Sequence, residues 1–121
     1  MRTAVERLIV GVLVAGFAIG TTTHVLALLN RGWVVNPSAP VWMNVYWTAL
    51  TFLDPLAAVL LIRSRSAGLV LALAIMLSDV AINTYAARLF GFTGVHWQVQ
   101  LQTVFLGFLL GAAGFLWEKA P

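Results

Sequence analysis

Four apolar segments, each about 20 residues long, dominate this chain of 121 residues. A helix needs about 20 mostly apolar residues to cross the hydrocarbon core of a bilayer, which is about 30 Å thick. We place the four predicted spans at residues 8–29, 41–62, 67–87 and 95–117. Because 61% of the residues are hydrophobic and only 9% are charged, a soluble domain of this size could not bury the apolar surface. The sequence therefore predicts an all-α, polytopic integral membrane protein.

Short connections separate the predicted spans. Residues 30–40 contain Gly32, Pro37 and Pro40, which interrupt helices and favour turns. The second connection, residues 63–66, is so short that the helices on either side must be antiparallel neighbours. Residues 88–94 contain two glycines, which indicate a third turn. We therefore predict an antiparallel four-helix transmembrane bundle that forms a single domain over residues 1–121.

The basic residues predict how the bundle is oriented, because Lys and Arg accumulate on the cytoplasmic side of membrane proteins. One predicted side carries Arg2, Arg7, Arg63, Arg65 and Lys119, and the other carries Arg31 and Arg88. This bias predicts that both termini lie in the cytoplasm. We expect the membrane to be an inner (plasma) membrane of the bacterial type. The apolar run of the first span continues past the usual length of a signal-peptide core, so we predict that it is retained, with cleavage as the open alternative.

Composition excludes several kinds of chemistry and partner. The chain has no cysteine, which rules out disulfides, thiolate catalysis and Cys-ligated zinc. The net charge is +3, but no cluster of Lys and Arg is present, so nucleic acid is not a predicted partner. No phosphate-binding, nucleophile-elbow, zinc-protease or dinucleotide-binding motif occurs. We predict the lipid bilayer as a partner, and neither a metal nor a cofactor.

Two carboxylates, Asp54 and Asp79, fall in the middle third of the predicted spans. At about 1.5 Å of rise per residue, each lies about 18 Å from one end of its span, and their depths differ by about 6 Å. Lipid offers no hydrogen-bond partner, so both must face protein or water. No Lys or Arg occurs at this depth, so we expect the two acids to be protonated, to share a proton or to bind a cation. We predict that they lie within one bridging water or ion of each other.

The second span carries polar residues at helical spacing, namely Asn44, Trp47, Thr48, Thr51 and Asp54. Their spacing of i, i+3, i+4, i+7 and i+10 predicts one polar stripe that runs from the outer surface to mid-membrane. Pro55 has no backbone N–H and predicts a kink beside Asp54. We expect the stripe to face the bundle interior. The alternative is that the threonines bond to their own helix and Asn44 is only interfacial.

The other spans supply further polar and small residues. Asn83 lies one turn from Asp79, and a hydrogen bond that merely locks the helices together is the structural alternative there. Glycines at four-residue spacing predict close packing in a homo-oligomer or with a membrane-protein partner. These glycines are Gly16, Gly20, Gly107 and Gly111. The candidate ligand-binding residues are Asp54, Asp79, Asn83, His24, Asn44, Trp47, Thr51 and Gln100.

Three functions fit this pattern. The first is the binding or transport of a proton, a cation or a cationic amphiphile in a polar pocket that faces outward, with Asp54 and Asp79 as its acidic groups. The second is a non-catalytic subunit or assembly factor whose polar stripe meets the helices of a partner. The third is a membrane enzyme that uses two carboxylates and a histidine as acid and base on an apolar lipid. The sequence leaves open whether the protein is an enzyme.

Overall fold

The computed structural model describes residues 3–91 and 96–117. Within these ranges the chain forms four helices, and no strand occurs there. They are α1 (Ala4–Arg31), α2 (Val41–Arg63), α3 (Arg65–Phe90) and α4 (His96–Trp117). Each of the four is long and apolar enough to span a membrane. The predicted all-α, four-helix transmembrane architecture is therefore confirmed.

Local sequence signals set the helix ends. The hydroxyl oxygen of Thr3 accepts a hydrogen bond from the backbone N–H of Glu6 at 3.1 Å and so caps α1. Gly32 follows α1 with φ 72° and Gly91 follows α3 with φ 63°, in the region that favours glycine. Only Ser64 separates α2 from α3, so these helices are antiparallel neighbours. The turn was predicted at residues 88–94, but α3 continues to Phe90, and residues 92–94 of that turn lie outside the described residues. Arg2 and Lys119, used to predict the orientation, also lie outside them.

The helices form a ring in which each packs against the next along the chain, and a smaller contact between α1 and α4 closes it. The interior is built from apolar side chains of all four helices, including Leu13, Phe17, Leu50, Leu61, Leu69 and Leu109. The outer surface is also apolar, with Leu29 and Val104 more than two-thirds exposed. An apolar exterior of this extent suits lipid rather than water.

The two ends of the bundle differ in their polar contacts. We call the end that holds the start of α1 and the α2–α3 connection the terminal end, and the opposite end, which holds residues 32–40, the loop end. At the terminal end, a buried ion pair joins Glu6 of α1 to Arg65 of α3, with 3.0 Å between Oε2 and the guanidinium. The pair connects two helices that are not neighbours in the ring.

A candidate intramembrane polar site

Asp54 is buried near the middle of α2 and faces α1. Its Oδ2 lies 3.8 Å from Nε2 of His24, which is longer than a hydrogen bond. The same oxygen packs against the backbone of Gly20, where an added Cβ would come within 2.5 Å of it. Within residues 3–91 and 96–117, no group donates a hydrogen bond to Asp54. Its carboxyl group is therefore shielded from lipid but not satisfied by the protein.

Thr51 lies one turn before Asp54 on the same face of α2. Its hydroxyl oxygen is buried and has no hydrogen-bond partner in the described part of the chain. Pro55 follows Asp54 inside the helix and has no N–H to donate to the carbonyl of Thr51, the acceptor four residues earlier. We call Gly20, His24, Thr51 and Asp54 the Asp54 cluster.

Asp79 of α3 has a different environment, because amide groups hold both of its oxygens. Nδ2 of Asn83 donates to Oδ1 at 2.9 Å, and Nε2 of Gln102 donates to Oδ2 at 3.2 Å. Asn83 also donates to Oε1 of Gln102 at 3.1 Å and accepts from the indole N–H of Trp47 at 2.8 Å. We call Trp47, Asp79, Asn83 and Gln102 the Asp79 cluster. It ties α2, α3 and α4 together in one network of hydrogen bonds.

The two carboxyl groups have separate partners, since Asp54 faces α1 whereas Asp79 is held from α3 and α4. No hydrogen bond joins them directly among the described residues. The hydrogen bond between Asp79 and Asn83 is the contact considered from the sequence as a helix lock. Whether a water or an ion bridges the two acids stays a prediction.

Asn44 and Thr48, near the N-terminal end of α2, bond to the loop at residues 32–40 and not to the candidate site. The whole polar stripe of α2 was expected to face the bundle interior. Nδ2 of Asn44 donates to the carbonyl of Asn36 at 3.0 Å, and Oδ1 accepts from the Asn36 N–H at 2.8 Å. Thr48 donates to the carbonyl of Trp33 at 2.9 Å. Backbone groups in the turn at residues 32–40 have few helical partners, so these side chains satisfy them. Asn44 is therefore outside both clusters.

Gln100 of α4, a predicted ligand-binding residue, does not face the interior of the bundle. Gln100 is exposed, whereas Gln102 points inward with Phe105 and Leu109 below it. The large side chains of Phe105 and Leu109 set the rotation of α4 about its own axis, because burying them between α1 and α3 stabilises the bundle more than burying glycine would. Gln102 thus replaces Gln100 in the candidate site. The spacing of Gln102 with Phe105 and Leu109 fits one face of a helix, as does the spacing of Gln100 with Thr103 and Gly107.

The predicted glycine faces divide into two groups. Gly16 packs against the ring of Phe105 and Gly20 against Asp54, so both are used inside the bundle and leave no room for a partner's helix. A Cβ added at Gly107 or Gly111 would meet nothing within 4 Å. Gly107 and Gly111 thus have open space beside them, and contact with a partner through glycines stays a prediction.

Two further features lie outside the clusters. Tyr46 and Ser78, which the sequence analysis did not single out, form a hydrogen bond of 2.6 Å between α2 and α3. A surface groove of about 370 Å³ runs along α3 toward its C-terminal end, and its lining includes Thr84, Tyr85 and Arg88. No group of three or more acidic and histidine side chains in the described ranges is arranged to hold a metal ion.

The two glutamines of α4 give a direct test of the helix rotation. We expect Gln102→Leu to lower the free energy of unfolding by about 1–3 kcal/mol, because it removes a donor from Asp79 and an acceptor from Asn83. The matched Gln100→Leu should change stability by less than about 0.5 kcal/mol. Unfolding by SDS in mixed micelles measures both. Equal effects of the two changes would contradict the placement of Gln102 inside the bundle.

The fold and the buried polar clusters define a small four-helix integral membrane protein. Comparison of the chain with protein-family models, with curated proteins and with solved structures finds no match to any of them.

Proposed function

We propose that this protein binds a cation or a proton at the two carboxylates buried between its membrane-spanning helices. Asp54 and Asp79 are each only 5% exposed. The five basic residues in the described ranges are all arginines, and each lies near an end of its helix. The acidic groups at mid-membrane therefore have no permanent positive charge beside them, and this observation carries the proposal.

Electrostatics favours a bound positive charge over two isolated anions. A single ionised side chain at the centre of a bilayer costs about 2.5–3.5 kcal/mol on insertion scales, and like charges close together add to that cost. A proton or a cation removes this penalty, whereas a neutral ligand does not. In the Asp54 cluster, the side chain of His24 is 21% exposed, whereas that of Asp54 is 7% exposed.

The orientation proposed from the basic residues puts the loop end outside the cell. By the rise of a helix, Asp54 lies about 14 Å and Asp79 about 21 Å from the terminal end. Asp79 is then the acid nearer the exterior, and Trp47 and Gln102 lie between it and the loop end. We propose that the site is reached from that side.

Binding by purified protein in detergent tests the proposal. The probes are ²²Na⁺, tetraphenylphosphonium as a cationic amphiphile, and protons taken up on acidification in weak buffer. We expect the wild type to bind at least one of them saturably. Asp54→Asn and Asp79→Asn should each weaken that binding, because each removes a negative charge from a medium of low dielectric constant.

Glu6→Gln is the matched control, because it removes a buried carboxylate at the terminal end and leaves both clusters intact. We expect it to lower stability but to leave binding unchanged in the fraction that remains folded. Binding that is the same in wild type, Asp54→Asn and Asp79→Asn would overturn the proposal.

A second candidate function is supported by the exposed glycine face of α4. Gly107 and Gly111 have open space beside them, and helices in membranes associate where small residues let backbones approach closely. This supports a role as a subunit or assembly factor that meets a partner's helix. A stoichiometric membrane protein that co-purifies, and is lost in Gly107→Leu, would favour this role. A monodisperse protein that binds cations alone would favour the first.

A further inference from the structure

Thr51 carries a buried polar group that the protein leaves unsatisfied. The residue is 8% exposed, and its hydroxyl oxygen has no hydrogen-bond partner in the described part of the chain. Thr21, Thr22, Thr23 and Thr103 differ, because each donates its hydroxyl to a carbonyl of its own helix. A buried hydroxyl without a partner is unfavourable and rare in folded proteins, so it indicates a missing ligand.

A second oxygen lies in the same residue. The carbonyl of Thr51 would accept a helical hydrogen bond from residue 55, but that residue is Pro55 and has no N–H. The carbonyl points toward the C-terminal end of α2, as every helical carbonyl does, and so toward the turn that holds Asp54. One residue thus presents a hydroxyl and a carbonyl oxygen within one turn of a buried carboxylate.

Asp54 supplies the third oxygen donor. In a helix, side chains lean toward the N-terminus, so the carboxyl group of Asp54 leans toward Thr51. The backbone of Gly20 on α1 closes the other side, where an added Cβ would meet Oδ2. The gap of 3.8 Å to Nε2 of His24 is wide enough for a water or a small ion to bridge the two groups.

Asp79 does not offer an equivalent site. Both of its oxygens already accept N–H donors, from Asn83 and from Gln102. Each amide N–H takes one lone pair of the carboxylate oxygen that it contacts and presents partial positive charge there, which disfavours a metal ion beside either oxygen. Asp79 therefore contributes negative charge to the bundle interior but not a ligand.

We infer that the Asp54 carboxylate, the Thr51 hydroxyl and the Thr51 carbonyl together bind a partly dehydrated monovalent alkali-metal cation. This inference rests on the proposed function and names its ligand class. Oxygen donors suit hard cations, and carbonyls released at an interrupted membrane helix are a known way to coordinate Na⁺. A monovalent ion neutralises the one ligating carboxylate. Ca²⁺ instead takes about 6–8 oxygens, and Mg²⁺ keeps several waters.

Equilibrium binding of ²²Na⁺ to the purified full-length protein tests the inference. Ionic strength is held constant with choline chloride, and unlabelled Na⁺, Li⁺ and K⁺ serve as competitors. We expect Asp54→Asn to abolish binding and Thr51→Val to weaken it by about tenfold or more. Thr103→Val, on an exposed threonine that bonds its own helix, should leave the affinity unchanged.

Pro55→Ala gives an independent test that does not put folding at risk. It restores an N–H to the Thr51 carbonyl and removes a helix-breaking residue, so we expect the same or a higher midpoint of unfolding together with weaker Na⁺ binding. A variant that only damaged the fold would lower both. Gly20→Ala should also weaken binding by displacing Oδ2, whereas Gly11→Ala, which has open space on the same helix, should not.

The outcomes separate this inference from the proposed function. Na⁺ binding that is lost in Asp54→Asn but unchanged in Thr51→Val and Pro55→Ala would overturn the oxygen site and leave cation binding standing. Binding of tetraphenylphosphonium or protons without any Na⁺ binding would do the same. If none of the three probes binds, both are wrong.

Discussion

Gly68→Ala is expected to lower the free energy of unfolding by about 3 kcal/mol, near the upper end of the usual range for overpacking. A Cβ at this position of α3 would collide with the backbone of Leu60 and Leu61 on α2. Backbone atoms cannot rotate away as a side chain can. The one-residue connection through Ser64, whose carbonyl accepts from the Gly68 N–H at 2.8 Å, keeps the two helices from moving apart. Unfolding by SDS in mixed micelles measures the loss.

Gly107→Ala is the matched control, because it makes the same chemical change in a membrane helix where nothing lies within 4 Å. Alanine has the higher helix propensity by about 1 kcal/mol, so this change should leave stability the same or raise it. A small effect of Gly68→Ala, similar to that of Gly107→Ala, would contradict the close approach of α2 and α3.

The sequence was sufficient for the number and order of the helices, because the thickness of the bilayer fixes how many apolar residues each span requires. The helices α1 and α3 extend several residues beyond the predicted spans. The sequence also placed Asp54 and Asp79 near the middle of their helices, where the structure buries both side chains. The structure makes α2 and α3 neighbours as predicted, and for a simple reason, since one residue cannot connect helices that lie apart.

Rotation of a helix about its own axis was harder to predict. Gln98, Gln100 and Gln102 alternate at the start of α4, so a shift of two residues in the inward face exchanges one glutamine for another. The packing of Phe105 against Phe17 and Gly16 decides which of them turns inward, and that packing depends on the distance between α1 and α4. The sequence of α4 alone does not determine the distance between α1 and α4.

Asn44 shows a second limit. Its spacing with Asp54 is correct for a shared face, but the turn at residues 32–40 uses its side chain to satisfy backbone groups of Asn36. Which polar side chain bonds to a loop depends on the path of the loop, and the periodic spacing of polar residues along a helix does not predict that path. The contact between Glu6 and Arg65, distant in sequence, was missed for the same kind of reason.

We expect the second large effect on the free energy of unfolding from substitution of Glu6 or Arg65. Their side chains are 7% and 5% exposed, and the 3.0 Å contact joins α1 to α3 across the bundle. Removing one member of a buried ion pair leaves the other charge in a medium of low dielectric constant, which typically costs about 3–5 kcal/mol. We therefore expect Glu6→Gln and Arg65→Met each to lower the free energy of unfolding by about that amount.

A double-mutant cycle separates the pair from its surroundings. Because the desolvation of both charges opposes their attraction, the double change of Glu6→Leu with Arg65→Met should cost less than Glu6→Leu alone or Arg65→Met alone. Arg63→Met removes a positive charge two positions away on the exposed surface of the same connection, so it should change stability by less than about 0.5 kcal/mol. If Arg65→Met cost no more than Arg63→Met, or if the effects of the two single changes simply added in the double variant, the ion pair would not hold α1 to α3. The terminal end of the bundle would then depend on apolar packing alone.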